Sequence, residues 1–245
     1  GDFVDAPSDS RILGAAKLTG RLSPRTSIGI LAAVTDKEFA EVADTSAGPI
    51  PLISDVQVGP RSAYGIAKVE REFGASGSHV SLLAGGVTRD FGGNDALADL
   101  QSRHALVFGN DGLWRIRGGE YEWTWAIIGG YLTGEPEAVE RVQRTSSHYL
   151  QRPDRDPSYI LDPTRTSMGG WSIQTSFNRT SGRHWLFGTS TKIDHPMFDT
   201  NDIAQLNGAD GIMPGWNVTY RETQPGSVFR SYSIRFNQGN EWIFE

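Results

Sequence analysis

Strict period-two alternation over 169–193, GGWSIQTSFNRTSGRHWLFGTSTKI, restricts what this chain can fold into more than any other feature. Trp171, Ile173, Thr175 and Phe177 fall on one side of an extended chain, and Ser172, Gln174, Ser176 and Asn178 on the other. The turn at 180–183, TSGR, holds a glycine suited to positive φ. Beyond it Trp185, Phe187, Thr189, Thr191 and Ile193 alternate with His184, Gly188, Ser190 and Lys192. Each strand has room for roughly ten residues, enough to cross a bilayer when tilted, and its apolar face carries Trp near the strand ends. The pattern predicts a transmembrane β-hairpin.

The rest of the chain agrees with strands rather than helices as the crossing element. No apolar run approaches the roughly 18 residues of a membrane helix; SIGILAAVT at 27–35 and WAIIGGYLT at 125–133 are far shorter. Glycine makes up 29 of 245 residues, about 12% against a usual ~7%, as a chain of many turns requires. A net charge of −6 with scattered Lys and Arg has no basic stripe, which argues against a nucleic-acid partner. Zero cysteines exclude disulfides and thiolate metal sites. The chain starts at Gly1 without a leader and stops at Glu245 in strand-like sequence, so 1–245 reads as a single β-barrel domain that is a fragment of a longer chain.

Taken in order, 12–20 and 27–35 form a first hairpin, and 36–60 a long acidic, proline-containing connection. Strands at 62–73 and 80–89 follow; their alternation is poor because Lys68, Glu70, Arg71 and Glu72 cluster. A polar connection at 90–103 leads to 104–116, where Leu106, Phe108, Trp114 and Ile116 share a face opposite Asp111 and Arg115. Tyr121, Trp123, Trp125, Ile127 and Tyr131 then alternate at period two. Between 134 and 168 the segment EPEAVERVQ, with Pro in the first turn, predicts one short helix in a long loop. A further long loop at 194–210 precedes a last pair, in which Trp216, Val218 and Tyr220 are followed by a return over 228–236 that Arg230 interrupts.

The connections therefore alternate: short turns near 22–26, 74–78, 117–120, 180–183 and 223–226, long loops between them. All short connections lie at one end, as in an outer-membrane barrel. Asp111, Arg115, Glu122, Lys192, Arg221 and Arg235 fall on the face opposite the apolar one, the lumen side of such a barrel. The fold expected is all-β: an antiparallel up-and-down transmembrane β-barrel, with about ten strands visible as part of a larger barrel. Trp114, Trp123 and Trp185 near the short turns, and Trp171 and Trp216 near the long loops, are expected to form two membrane-interface girdles. The first strand is expected not to pair with the last. A soluble sandwich or small barrel with the apolar face as core is the alternative.

Chemistry is sparse. His79, His104, His148, His184 and His195 have no metal-ligand spacing, and the adjacent Ser147 and His148 cannot form a nucleophile–base pair by themselves. Asn178 and Asn217 begin glycosylation sequons, but within strands and on the lumen side. Asp154, Asp156 and Asp162 in one loop, and Asp194, Asp199, Asp202 and Asp210 in the next, lack a regular calcium-loop spacing and read as solvated charge or turn-forming groups. No catalytic residue, metal or cofactor is expected. An enzyme on loop-bound glycans would need two carboxylates about 5–10 Å apart in a cleft.

Five segments carry a family resemblance: ILGAAKLTGR at 12–21, IGILAAVTDKE at 28–38, QRPD at 151–154, LDPTRTSMGGW at 161–171, and Asn201-Asp202 with the later Ala209-Asp210. They resemble an uncharacterised family of bacterial proteins in which a family-nine-type carbohydrate-binding module precedes a C-terminal outer-membrane barrel region. The resemblance implies the outer membrane of a Gram-negative cell, outer-membrane lipid as partner, and glycan handling through a module these residues do not contain. The expected function is an anchor or pore of a glycan-associated envelope protein, completed by additional strands or neighbouring envelope proteins. The alternative is a soluble all-β carbohydrate-binding module.

Overall fold

Alternation at period two becomes one large antiparallel sheet in the computed structural model, which describes residues 3–46, 48, 52–154, 156–206 and 208–244. Its strands are β2 (Ile12–Ser23), β3 (Thr26–Thr35), β6 (Arg61–Phe73), β7 (Ser78–Asp90), β8 (His104–Ile116), β9 (Tyr121–Thr133), β10 (Ser167–Arg179), β11 (Trp185–Asp194), β12 (Gly211–Glu222) and β13 (Tyr232–Gly239). These ten lie side by side in that order, each antiparallel to the next, as an up-and-down meander. The short turns consequently stand at one end of the sheet and the long connections at the other.

The ends of the meander, β2 and β13, do not pair with each other, so the sheet is open rather than a closed barrel. The antiparallel up-and-down order and the unpaired first and last strands of the meander agree with the sequence reading. The chain ends Gly1 and Glu245 on which that reading also drew lie outside the described residues, as do Arg155 and Asn207 within the long loops.

Two local expectations need correction. The connection 36–60 is not loop throughout: β4 (Glu38–Asp44) and β5 (Leu52–Gly59) pair with each other, and β1 (Phe3–Asp5) pairs with β4, making a separate three-stranded sheet. Asp36-Lys37 and Pro60 interrupt the β3/β6 hairpin, because proline has no N–H to give a ladder. The tip residues 47 and 49–51 lie outside the described residues. At the other end of the chain Arg230 precedes β13 and breaks no strand.

The charged cluster that blurred β6 resolves in the register. Lys68, Glu70 and Glu72 share one face, with Arg71 alone on the other, so the alternation is intact and only its amplitude is hidden. The helix expected in the third long loop is α2 (Pro136–Arg144), with Pro at its first turn and Arg141 and Arg144 in its last, where the helix dipole favours cations. A second, one-turn helix, α1 (Asp95–Ala98), is capped by the Asn94 side chain, which accepts from the Leu97 amide at 3.0 Å.

Candidate functional site

Because the registers are continuous, every strand residue can be assigned to one of two faces. On the first lie Leu18, Ile30, Val69, Leu82, Phe108, Ile127, Trp171, Phe187, Trp216 and Ile234, one from each of the ten strands, and most of these are solvent-exposed; Leu18, Leu82, Phe108 and Ile234 are each at least 60% exposed. All five tryptophans expected at membrane interfaces stand on it and are exposed. Trp114, Trp123 and Trp185 flank the short turns, and Trp171 stands toward the long connections; Trp216 is the sixth residue of the twelve in β12, at mid-strand.

The aromatic band beside the short turns is larger than those three tryptophans suggest. Trp114 and Trp123 approach to 6.4 Å between ring centroids, Trp123 and Trp125 to 5.0 Å, Tyr121 and Phe177 to 5.8 Å, and Trp185 and Tyr220 to 5.0 Å. Phe187 belongs to the same band, 6.3 Å from Tyr121, rather than to mid-strand. Several aromatics on this face lie flat because their ladder partner is glycine: Trp125 covers Gly112, Phe108 covers Gly129, and Tyr131 covers Gly169. The Trp125 indole N–H also donates to the Asn110 carbonyl oxygen Oδ1 at 2.7 Å, which satisfies its one polar atom on an apolar face.

The second face carries most of the strands' charge, and much of that charge is internally bonded. Arg115 meets Glu122 at 2.9 Å, Lys68 meets Asp111 at 3.3 Å, and Ser81 donates to Asp111. Thr124 and Ser176 hydroxyls lie 2.7 Å apart, the Arg235 guanidinium donates to Thr219 Oγ1, and Arg221 donates to the Gly182 carbonyl. Asn178 and Asn217 flank Gly188 on this face. All six charged residues assigned to it from the sequence stand there.

Toward the long connections the second face changes character. Val87, Ala105, Leu132 and Met168 are apolar and buried, because Val139 of α2, Leu150 and Met197 of the long loops fold down onto them and make the main hydrophobic cluster. The loop segment 197–199 rests on bare backbone. Gly130 and Gly170 are ladder partners on this face; a Cβ on Gly170 would stand 2.5 Å from the Phe198 nitrogen, and one on Gly130 would collide with the Asp199 carbonyl.

The loop aspartates, read as solvated or turn-forming, divide between two jobs. Asp162 accepts from the Thr164 hydroxyl and amide, and Asp156 from the Ser158 amide; these bonds hold both carboxyls below the ordinary carboxylate range. The acids of 194–210 instead anchor the loop to other parts of the chain. Asp194 accepts from Ser172 at 2.6 Å, Asp202 pairs with Arg89 at 2.7 Å and accepts from Ser102 at 2.8 Å, and Asp210 pairs with Arg152 at 3.1 Å.

Asp199 meets the Nε2 of His148 at 2.8 Å, and the His148 Nδ1 lies 2.9 Å from the Pro196 carbonyl, so both ring nitrogens face acceptors. The His148 side chain is fully enclosed. Burial pushes the Asp199 carboxyl up, but bonds from His148 and from the Asn201 backbone and side-chain amides outweigh burial and hold it below its usual value. This is a clasp between two loops. The ring has no face left for a substrate, and Ser147 is bonded to Thr145 instead. Among the described residues no three His, Asp or Glu converge as metal ligands.

Residues 1–102 match the model of a family described as Domain of unknown function (DUF5916). The match takes in β1 to β7 and α1, is less than half of the chain, and is to an uncharacterised domain, as the resemblance of 12–21 and 28–38 implied. No curated protein and no solved structure matches the chain.

Proposed function

We propose that this chain is the membrane-spanning part of an outer-membrane β-barrel that serves as anchor or pore for a glycan-associated envelope protein. The observation that carries this reading is the inverted amphipathicity of the sheet. An exposed apolar face runs across ten strands while the opposite face holds paired charges, an arrangement stable where lipid, not water, bathes the outer side. Strands of 10–13 residues, which include nine of the ten, have the reach of tilted transmembrane strands. The aromatic band beside the short turns supports the same placement.

In lipid the free backbone groups along β2 and β13 would each cost several kcal/mol if left bare, so further strands of the same protein or of a neighbouring envelope protein are proposed to cover them. Gram-negative location and the glycan association rest on the family resemblance. Purification tests the reading. The protein is expected to stay monodisperse only with detergent or lipid; a monodisperse monomer in plain buffer would assign the apolar face to a soluble binding module instead.

A further inference from the structure

We propose that the barrel rests closed: segment 195–204 and α2 form a cap that the chain folds onto its own polar wall, and two ties, the Arg89–Asp202 ion pair and the His148–Asp199 hydrogen bond, keep it shut against solute passage. The inference deepens the membrane-barrel reading and rests on it.

Three observations converge on the cap. The first is the seat. Gly130 and Gly170, paired across β9 and β10, leave a bare patch of wall on which Met197, Phe198 and Asp199 lie in direct backbone contact. The second is the apolar underside. Val87, Ala105, Leu132 and Met168 turn the polar wall hydrophobic only where Val139, Leu150 and Met197 cover it. An uncovered lumen would expose these four to water.

The third is how the cap is tied. Arg89 projects from the wall strand β7 with its side chain 9% exposed, and Asp202 reaches it from the loop while also accepting from Ser102 in the connection before β8. His148, from the connection after α2, holds Asp199 and the Pro196 carbonyl of the same loop. Gln143 ties α2 to its own connection, donating to the Asp162 carbonyl and accepting from the Asp162 amide, both at 2.9 Å. Three long connections and the wall thus meet through one ion pair and one buried hydrogen bond. Removing the Asp202 carboxylate leaves the nearly buried Arg89 guanidinium uncompensated, and removing the Asp199 carboxylate weakens the bond that holds the enclosed His148 ring, and both favour the lifted state.

The chain has no cysteine, so introduced thiols report without background. In liposomes, Met168→Cys beneath the cap is expected to resist a charged, water-soluble maleimide. Adding Asp199→Asn and Asp202→Asn should raise its labelling rate at least about tenfold and raise the permeation of a small sugar in parallel. A Ser102→Cys/Asp202→Cys disulfide should keep permeation at the resting level until it is reduced, which reads the same lock without relying on a destabilised variant. Free labelling of Met168→Cys in the locked protein, or unlocking that leaves labelling or permeation unchanged, would overturn the cap. Ile127→Cys on the apolar face separates the two readings: its labelling in liposomes would sink the membrane assignment itself, not the lock.

Discussion

Gly170 shows how much a single missing methyl can decide. The loop 197–199 touches strand backbone only because neither Gly170 nor its ladder partner Gly130 has a side chain. Gly170→Ala must push the Phe198 backbone away, and overpacking of this kind costs about 1–3 kcal/mol. Gly65→Ala, where a Cβ meets nothing within 4 Å, should be close to neutral or slightly stabilising. Denaturant unfolding in detergent would measure both, and equal midpoints for the two variants would mean that the loop does not rest on the wall.

Two titrating groups of the same cap make it acid-sensitive, in separate windows. Burial among Tyr159, Trp171 and Phe244 lowers the His195 pKa from its usual 6.5, against an opposing pull from the Asp210 carboxylate. The unfolded chain therefore binds a proton at this site before the folded one does, and stability falls as pH drops below about 6.5. Asp199 has a folded pKa below its usual 3.8, so its contribution is full above that value and is lost as pH falls through the folded pKa. Unfolding midpoints between pH 7.5 and 3 should decline in two stages. His195→Gln should remove the upper stage and Asp199→Asn should shrink the lower, to which the hydrogen-bonded Asp156 and Asp162 also contribute; a flat profile would refute both.

Among the elements, the strands differ in what a charge would cost on their apolar face. Ile127, seventh of the thirteen residues of β9, is at mid-strand and exposed, so Ile127→Arg should cost about 2–4 kcal/mol in lipid. Phe187, third of ten in β11 and packed within the aromatic band, is close to the interface, where Phe187→Arg should cost nearer 0–1 kcal/mol from lipid, apart from lost ring contacts. Thr124→Ser, on the opposite face, keeps the hydroxyl that meets Ser176 and should cost less than either. Folding titrations in lipid vesicles would rank them, and equal penalties for Ile127→Arg and Thr124→Ser would contradict the assignment of faces.

For the whole molecule the decisive feature is the open sheet. An even number of strands leaves β2 and β13 antiparallel to one another with their short turns at the same end, so they could be ladder partners by direction alone; they are not. Facing positions also disfavour the pairing, since Lys17 and Arg21 share the charged face with Arg235 and like charges across a ladder repel. Cysteines placed at Lys17 and Asn237 should not form an intrachain disulfide when the protein is oxidised in lipid. A monomeric cross-linked band would show that these ten strands close on themselves.

Local pattern determined a great deal about this protein. Period-two alternation, turn chemistry and the rhythm of short and long connections were enough for the strand order, both faces, the helix at 136–144 and the position of all five tryptophans on the apolar side, because each depends on neighbours along one chain or across one hairpin. Even the cap left a trace, in Val87, Ala105, Leu132 and Met168 standing apolar on an otherwise charged face, but that signal has no meaning until something is known to cover them. What covers them was decided only by tertiary structure. Ser102 and Asp202 are 100 residues apart, and Asp199 lies 51 residues from His148, so no local spacing could announce that loop aspartates would serve as anchors rather than solvated charge. The separate three-stranded sheet within the β3/β6 connection belongs to the same class, since β1 meets β4 at separations running from Asp5–Glu41, 36 residues, to Phe3–Ala43, 40 residues, and pairing at that range is fixed by the fold already formed around it.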